Sequence, residues 1–252
     1  MSYVFSHLRS IGQLTLVGVG PGDPSLLTLA AVKAIKEADI ITYPISEKSQ
    51  SSIALSIAIN WIDSGKEKIP LIFPMVKDSR ALKNAWRIAS DRVAILLDQG
   101  NNITFICEGD VSLFATGSYL LLEMKKSYPQ FDVQIVPGVT SISAAAASGL
   151  WPLSLQNEQL LISPTPDSPK MLGELLNEAF EGQRIYALLK LGNRWSWVKP
   201  LLEKKGILKY CLFAQRIGLP DQKISAASHV SKDDCPYFSL LLIRTRWPEF
   251  IP

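Results

Sequence analysis

The chain has 252 residues, 47% of them hydrophobic, which is enough to bury a sizeable core in one large domain or two modest ones. Its formal net charge is +3, from 26 basic and 23 acidic side chains, and this even balance excludes the strong basic footprint of a nucleic-acid-binding protein. A mildly basic pocket for an acidic small molecule is compatible with it.

The cysteines and the first residues predict a cytoplasmic protein. Cys107, Cys211 and Cys235 are odd in number and form no C-x-x-C pair, so neither a disulfide framework nor a zinc site is indicated. The first residues lack the pattern of a secretory signal, and no apolar run approaches the ~18 residues that span a bilayer. We therefore expect no membrane association, and we interpret residues 1–11 as a short extension before the fold.

Short apolar runs alternate with helix-length patterns through the first half, as in an α/β protein with a mostly parallel sheet. The predicted strands lie at 14–17, 40–43, 68–73, 103–107 and 133–136. The predicted helices lie at 26–37, 52–63, 79–99 and 113–126.

The second half follows a less regular pattern after Pro137-Gly138. We expect a domain boundary near Val139, with an N-terminal α/β domain over 12–139 and a C-terminal α/β domain over 140–252. The strand candidates there lie at 160–163, 185–189, 211–214 and 238–243, and the helix candidates at 141–147, 170–180 and 195–204.

A glycine-rich loop, Gly-Val-Gly-Pro-Gly-Asp-Pro at 18–24, joins the first strand to the first helix, where α/β sheets bind ligands. Glycine permits positive φ and close backbone approach, while Asp23 suits a helix N-cap and Pro24 the first helical position. A tight, well-capped turn is the structural alternative. The dinucleotide-binding fingerprint fails, because its sixth position from Gly18 is Asp23, which would also repel a pyrophosphate.

Two further loops follow predicted strands: Cys-Glu-Gly-Asp at 107–110 and Val-Pro-Gly-Val-Thr-Ser at 136–141. Each is an ordinary turn sequence by itself. Since the carboxyl ends of parallel strands lie at one edge of a sheet, the three loops together predict a single ligand site.

Together with residues 14–29, these loops resemble the signature stretches of the tetrapyrrole (cobalamin-pathway) methylases, over about residues 12–245. The chain is similar to the branch that methylates C-20 of precorrin-2, through segments at 38–44, 85–87 and 188–192. Uroporphyrinogen-III methyltransferases carry an aspartate, a suggested proton acceptor, where this chain has Pro44, and this favours the C-20 branch. Val111 is a departure, because most members of the family have proline there.

The resemblance implies an S-adenosylmethionine-dependent C-methyltransferase of cobalamin biosynthesis, acting on precorrin-2 or its cobalt complex. It also implies a homodimer of two-domain α/β chains, with a mostly parallel N-terminal sheet, a mixed C-terminal sheet and the cofactor in a trough between the domains. The loop over 18–23, with Gly20, Gly22 and Asp23, would floor the tetrapyrrole side. The implied cofactor contacts are Pro21, Glu108, Gly109, Asp110, Leu113, Thr140, Ser141, Lys190, Leu191 and Gly218.

A sulfonium methyl group is already activated, so its transfer to a meso carbon chiefly requires alignment of the reactants. The chain shows no Ser/His/Asp or Cys/His constellation, and no protein-bound metal is expected. Candidate acceptors for the proton lost from C-20 are Asp23, Tyr43 and Asp110. Their alternatives are a helix cap, a packed aromatic and a turn residue, respectively.

The substrate carboxylates call for cationic partners, and arginine binds carboxylates in bidentate fashion. Arg80, Lys83 and Arg87 share a helix face by their spacing, which makes Arg80 and Arg87 candidate substrate contacts. A solvated helix face is the alternative. His229 has no second histidine near it in the sequence, and we interpret it as a surface or structural residue.

Other functions stay open at this point. Within the same family, methylation of uroporphyrinogen III is the alternative. Methylases of the diphthamide and ribosomal-RNA pathways share the architecture, but they begin with different first-loop sequences. A non-catalytic tetrapyrrole carrier would have no need of a methyl donor, so S-adenosylmethionine binding would separate it from an enzyme.

Overall fold

The computed structural model describes residues 11–49, 51–76, 78–182, 184–234 and 238–248. Cys235 and all but Ile11 of the predicted extension lie outside these ranges. The chain divides into two units, the first ending at Thr140 and the second beginning at Ser141. Among the described residues each unit holds one five-stranded sheet with helices, which confirms the predicted α/β class.

The strands and helices of the first unit alternate along the chain. They are β1 (Leu14–Gly18), α1 (Leu29–Glu37), β2 (Ile40–Ile45), α2 (Ile53–Ala58), β3 (Glu67–Ile72), α3 (Ser79–Asp98), β4 (Ile103–Cys107), α4 (Thr116–Ser127) and β5 (Val133–Val136). Those of the second unit are α5 (Ser141–Ser148), β6 (Gln159–Pro164), α6 (Pro169–Gly182), β7 (Arg184–Leu189), α7 (Trp195–Lys204), β8 (Cys211–Gln215), β9 (Lys223–Ala226) and β10 (Ser239–Ile243).

The first sheet is parallel, in the order β3-β2-β4-β1-β5, and both of its faces are covered. Leu16 and Phe105 pair in register and bury their side chains on the face covered by α3 and α4. Val17 and Ile41 are buried on the opposite face, under α1 and α2. Burial of a side chain of this size contributes about 1.5–3 kcal/mol, so these two apolar layers fix the sheet.

The longest helix, α3, illustrates how the sequence sets local structure. The Asp78 side chain accepts a hydrogen bond from a first-turn amide and caps the N-terminus. Ala89, Val93 and Leu97 recur every fourth residue and are buried against the sheet. The chain leaves the helix through Gly100, whose φ of +88° suits glycine.

The first helix starts later than the predicted range of 26–37, at Leu29. Asp23 caps a single 3₁₀ turn over Pro24–Leu26, with Pro24 in its first turn, which confirms the capping pattern read from the loop. The Thr28 hydroxyl then accepts a hydrogen bond from the Ala31 amide at 3.0 Å and caps α1. Two successive caps therefore shorten the predicted helix.

Pro44 lies in β2 at a position where the strand is paired on one side only. In the described residues β2 pairs with β4 up to Thr42 and Phe105, whereas its pairing with β3 continues past Pro44 to Ile45. Proline lacks an amide hydrogen and is tolerated where one side of a strand is unpaired.

The second sheet is mixed, in the order β6-β7-β10-β8-β9. Strands β6 and β7 are parallel, while β10 is antiparallel to both β7 and β8. β9, which pairs with β8 along Lys223–Ala226, was not among the predicted strands. Its four residues carry a single large apolar side chain, Ile224, so long-range pairing creates this strand.

A buried arginine anchors a loop of the second unit. The Arg244 side chain is 1% exposed, and its Nη1 lies 2.5 Å from Glu158 Oε1. Its Nη2 donates to the carbonyl of Pro152 at 2.8 Å, and its guanidinium lies 5.0 Å from the ring centre of Trp151. Burial disfavours the charge of Glu158, but Arg244 and the Leu155 amide outweigh it and lower the pKa of this carboxyl.

Candidate functional site

The topology of the first sheet creates a switch point between β1 and β4. The helix that follows β1 packs on one face of the sheet, and the helix that follows β4 packs on the other. The chain therefore turns away in opposite directions at the carboxyl ends of two neighbouring strands. Such switch points are where open α/β sheets bind ligands.

The loops after β1 and β4 are joined through their backbones at this switch point. The Gly109 amide donates to the Gly20 carbonyl at 2.8 Å, and the Gly20 amide donates to the Gly109 carbonyl at 3.2 Å. Both glycines have positive φ, +81° at Gly20 and +66° at Gly109, as this pairing requires. The two loops form one connected structure.

The third loop, after β5, packs directly against this pair. A Cβ built on Gly138 would lie 2.2 Å from the Gly109 carbonyl oxygen and 2.7 Å from the Gly18 carbonyl carbon. A Cβ built on Gly18 would lie 2.5 Å from the same Gly109 oxygen. Since these neighbours are backbone atoms, glycine is required at both positions, and the three predicted loops are brought together at one edge.

Asp110 connects two of these loops through its side chain. Its Oδ2 accepts the Gly138 amide at 2.9 Å, and its Oδ1 accepts the Ser112 amide at 2.8 Å together with the Ser112 hydroxyl. Partial burial disfavours the charged form, but these three hydrogen bonds outweigh it and lower the pKa of the carboxyl. The carboxylate is thus held in the charged form by the loops it joins.

Backbone and side chains differ in accessibility around Gly109. A Cβ built on Gly109 would meet no atom of the described residues within 4 Å, so this backbone faces open space. Glu108 keeps an accessible side chain, although desolvation by the surrounding protein raises the pKa of its carboxyl. Behind the loop, burial raises the pKa of the Cys107 thiol to about 12, so this thiol is unreactive.

The first loop places Pro21, Gly22 and Asp23 beside the Gly20 bridge. Gly22 is buried, while Pro21 and Asp23 are partly exposed. Asp23 Oδ1 accepts the Ser25 amide at 2.8 Å, and hydrogen bonds from Ser25 lower the pKa of the carboxyl. The structure thus gives Asp23 the helix-cap interaction that was its alternative to a proton acceptor.

The remaining predicted residues of the first unit occupy different positions. Tyr43 is partly buried against the apolar layer under α1 and α2. Leu113 is partly buried in the loop after β4, and its amide lies 3.4 Å from the Asp110 carbonyl. Thr140 ends the first unit, and Ser141 opens α5 in the second.

The predicted contacts of the second unit follow strands β7 and β8. Lys190 is exposed, with a φ of +56°. Leu191 is fully buried in the core, and its amide and carbonyl bond to Ser239 and Arg194. Gly218 has a φ of +78° and donates its amide to the Gln222 side chain at 2.7 Å. Of the pair Lys190 and Leu191, Lys190 has the side chain available to a ligand.

The two candidate arginines of α3 differ in their surroundings. Arg80 stands exposed in the first turn of the helix. Arg87, nearly two turns further on, donates to Asp91 at 2.9 Å and to Asn84 at 3.2 Å. Arg87 is thus engaged by its own helix, in a groove where Trp86 stacks on Tyr119 of α4, with the ring centres 4.4 Å apart.

Two features of the loop after β4 were not predicted from the sequence. Ser112 was not singled out, although Asp-x-Ser at 110–112 is a common side-chain-capped turn pattern. Phe114 adopts a φ of +52°, unusual for a bulky residue, and is 45% exposed. No local signal in the sequence indicates this conformation.

Among the described residues no group of three or more His, Cys, Asp and Glu side chains is arranged to hold a metal ion. Within the same ranges no helix combines the length and apolar character of a membrane span.

Residues 13–229 match the family described as Tetrapyrrole (Corrin/Porphyrin) Methylases. This match covers most of the chain, and it includes the joined loops after β1, β4 and β5. The chain belongs to the tetrapyrrole methylases, which confirms the resemblance seen in the motifs.

Individual relatives extend over nearly the whole chain. Cobalt-precorrin-2 C(20)-methyltransferase of Salmonella typhimurium is 30% identical over 94% of this chain and 98% of its own length. Cobalamin biosynthesis protein CobIJ of Mycobacterium bovis is 31% identical over 92% of this chain but 46% of its own length, so the chain spans about half of that relative. A crystal structure of uroporphyrin-III C-methyl transferase from Thermus thermophilus complexed with S-adenyl homocysteine superposes with a TM-score of 0.59. It is 22% identical and covers 92% of this chain and 97% of that one, a likeness in fold.

Proposed function

We propose that this chain transfers a methyl group from S-adenosylmethionine to C-20 of precorrin-2, or of its cobalt complex, in cobalamin biosynthesis. The observation that carries the proposal is the convergence of the three loops at the β1/β4 switch point, with the Gly109 backbone facing open space. The relative from Salmonella typhimurium, a cobalt-precorrin-2 C(20)-methyltransferase by name, supports the choice of substrate.

The residues present fit a methyl donor bound beside Gly109. An open glycine backbone lets a ligand approach closely, and a Cβ at this position would occupy part of that space. The proposed cofactor contacts are those implied by the family motifs, namely Pro21, Glu108, Gly109, Asp110, Leu113, Thr140, Ser141, Lys190 or Leu191, and Gly218. Because the Leu191 side chain is buried, Lys190 is the member of that pair with a side chain available to the cofactor.

Alignment is the catalytic contribution that this loop platform is suited to make. S-adenosylmethionine supplies an activated methyl group, so the protein need not supply a strong nucleophile. Holding two reactants in line contributes about 7–11 kcal/mol through effective molarity. The Gly20 and Gly109 hydrogen bonds and the contacts of Gly18 with Gly138 make the floor of such a site rigid.

The proton lost from C-20 needs a modest base or water. Tyr43, Asp23 and Asp110 were the candidates, but both aspartates have a lowered pKa, which weakens them as bases. A water molecule in the open space beside Gly109 could accept the proton instead. Gly20, Gly22 and Asp23, with Arg80 in the first turn of α3, are the proposed contacts on the tetrapyrrole side, whereas Arg87 is engaged by Asp91.

Uroporphyrinogen III is the alternative substrate within the family. Pro44 stands where the uroporphyrinogen-III enzymes are expected to carry an aspartate, and it offers neither an ionisable group nor an amide hydrogen. This position favours precorrin-2. If the protein is not an enzyme, the alternative function is that of a non-catalytic tetrapyrrole carrier.

The direct test is incubation of the purified protein with S-adenosylmethionine and precorrin-2, with and without cobalt, followed by location of the added methyl group by mass and NMR. A new methyl group at C-20 is expected. Binding of the tetrapyrrole without affinity for S-adenosylmethionine would instead identify a carrier.

We further propose a cytoplasmic homodimer, on the family resemblance. Light scattering at micromolar concentration should then return about twice the chain mass of 27.8 kDa. A value equal to the chain mass would contradict the dimer and leave the methylase proposal standing.

A further inference from the structure

Both oxygens of the Asp110 carboxylate are engaged by the protein itself. Oδ1 receives the amide and the hydroxyl of Ser112, two residues further along the same loop. Oδ2 receives the amide of Gly138, which lies 28 residues away in the loop after β5. The second bond joins two loops that the sequence separates by a strand and a helix.

We propose that the Asp110 side chain is a positioning group, which holds the loop after β5 against the bridged loops after β1 and β4. It neither accepts the proton nor binds the cofactor itself, so a cofactor contact at this residue is made by its backbone. This inference rests on the proposed function, because it assigns a task within the same site. It replaces the two tasks that the sequence motif had suggested for this side chain.

The hydrogen bond between Asp110 and the Gly138 amide lies where the backbones of the three loops approach one another closely. The Gly138 backbone touches the Gly109 carbonyl and Gly18, and Gly109 in turn bonds to Gly20. Asp110 is adjacent to Gly109, so its bond to the Gly138 amide holds the closest approach among the three loops. Loosening it moves the backbone on which the cofactor is proposed to lie.

The same hydrogen bonds argue against proton transfer at Asp110. Three donors of the protein occupy most of the acceptor sites of this carboxylate, two on Oδ1 and one on Oδ2, and they fix its orientation toward the loops. The charged form is also the one that the loops stabilise, which is unfavourable for accepting a proton.

The test compares Asp110→Asn with the matched control Ser112→Ala. Asparagine offers one oxygen, so in either orientation its amide group confronts a backbone donor, that of Ser112 or of Gly138. Ser112→Ala removes one hydrogen bond to Oδ1 and leaves the bond between the loops intact. Asp110→Ala is added in case asparagine is accommodated.

We expect Asp110→Asn to raise the KM for S-adenosylmethionine by about tenfold, with kcat at saturating cofactor within about threefold of wild type. Ser112→Ala should stay within about threefold in both parameters. The pH profile of kcat should be the same in all variants that turn over. A fall in kcat of about 10²-fold or more with unchanged KM would make Asp110 the proton acceptor and overturn the proposal.

Hydrogen exchange separates a positioning residue from a direct ligand. In the cofactor-free protein, the amides of residues 136–141 should exchange faster in Asp110→Asn than in wild type or in Ser112→Ala. A raised KM with unchanged exchange in the free protein would show direct contact with the cofactor and sink the proposal. Because this readout needs no turnover, it stands even if the proposed methyl transfer fails.

Discussion

Gly109 allows the cofactor site to be tested separately from the fold. Its φ is +66°, and a side chain in this left-handed region costs about 1–2 kcal/mol. Gly206, at the end of α7, has a φ of +72° and is equally open, with no atom of the described residues within 4 Å of an added Cβ. Gly109→Ala and Gly206→Ala should therefore lose similar stability, about 2–4 °C in Tm for each kcal/mol.

Binding should distinguish the two variants. The Gly109 Cβ enters the open space assigned to S-adenosylmethionine, where overpacking costs about 1–3 kcal/mol, or about 5- to 150-fold in Kd. Gly206 follows the carboxyl end of α7 in the second unit and is not among the proposed contacts, so its variant should bind as wild type does. Calorimetry with S-adenosylhomocysteine measures both. Equal affinity in the two variants would refute the placement of the cofactor beside Gly109.

Three more outcomes follow from the packing and the charges. Gly138→Ala should destabilise the first unit by about 1–3 kcal/mol in denaturant unfolding, whereas Gly65→Ala, where an added Cβ meets no described atom within 4 Å, should change stability by less than about 0.5 kcal/mol. Cys107 should resist alkylation near neutral pH until the protein unfolds, and peptide mass mapping that found it modified in native protein would contradict its burial. Glu158→Gln should cost about 3 kcal/mol at pH 7, because it leaves the buried Arg244 charge unpaired. Since the folded state lowers the pKa of Glu158, its contribution is present at neutral pH and lost as the pH falls through the carboxyl range, so acid unfolding curves should be flatter in this variant.

Much of the first unit could be predicted because its signals are local. The strands Ile103–Cys107 and Val133–Val136 coincide with the predicted ranges, since each is a short apolar run bounded by turn residues. The three glycine loops were predicted to converge because parallel strands present their carboxyl ends at one edge. That convergence is confirmed by the bridge between Gly20 and Gly109.

The features that could not be predicted depend on residues far apart in the sequence. The bond from Gly138 to Asp110 spans 28 residues, and no local pattern indicates which carboxylate will meet which amide. β9 forms by pairing with β8, although its own residues carry a weak strand pattern. The burial of Leu191 was equally hidden, because a Lys-Leu pair after a strand does not reveal which residue faces the core.

The most direct test of the central proposal is the initial rate of methyl transfer from S-adenosylmethionine, measured anaerobically on precorrin-2 and on uroporphyrinogen III with the same preparation. With Pro44 in place of a carboxylate, the protein should methylate precorrin-2 at C-20 and leave uroporphyrinogen III unchanged. Comparable turnover of uroporphyrinogen III would contradict the proposed substrate, and no transfer to either compound would contradict the proposed C-20 methylation itself.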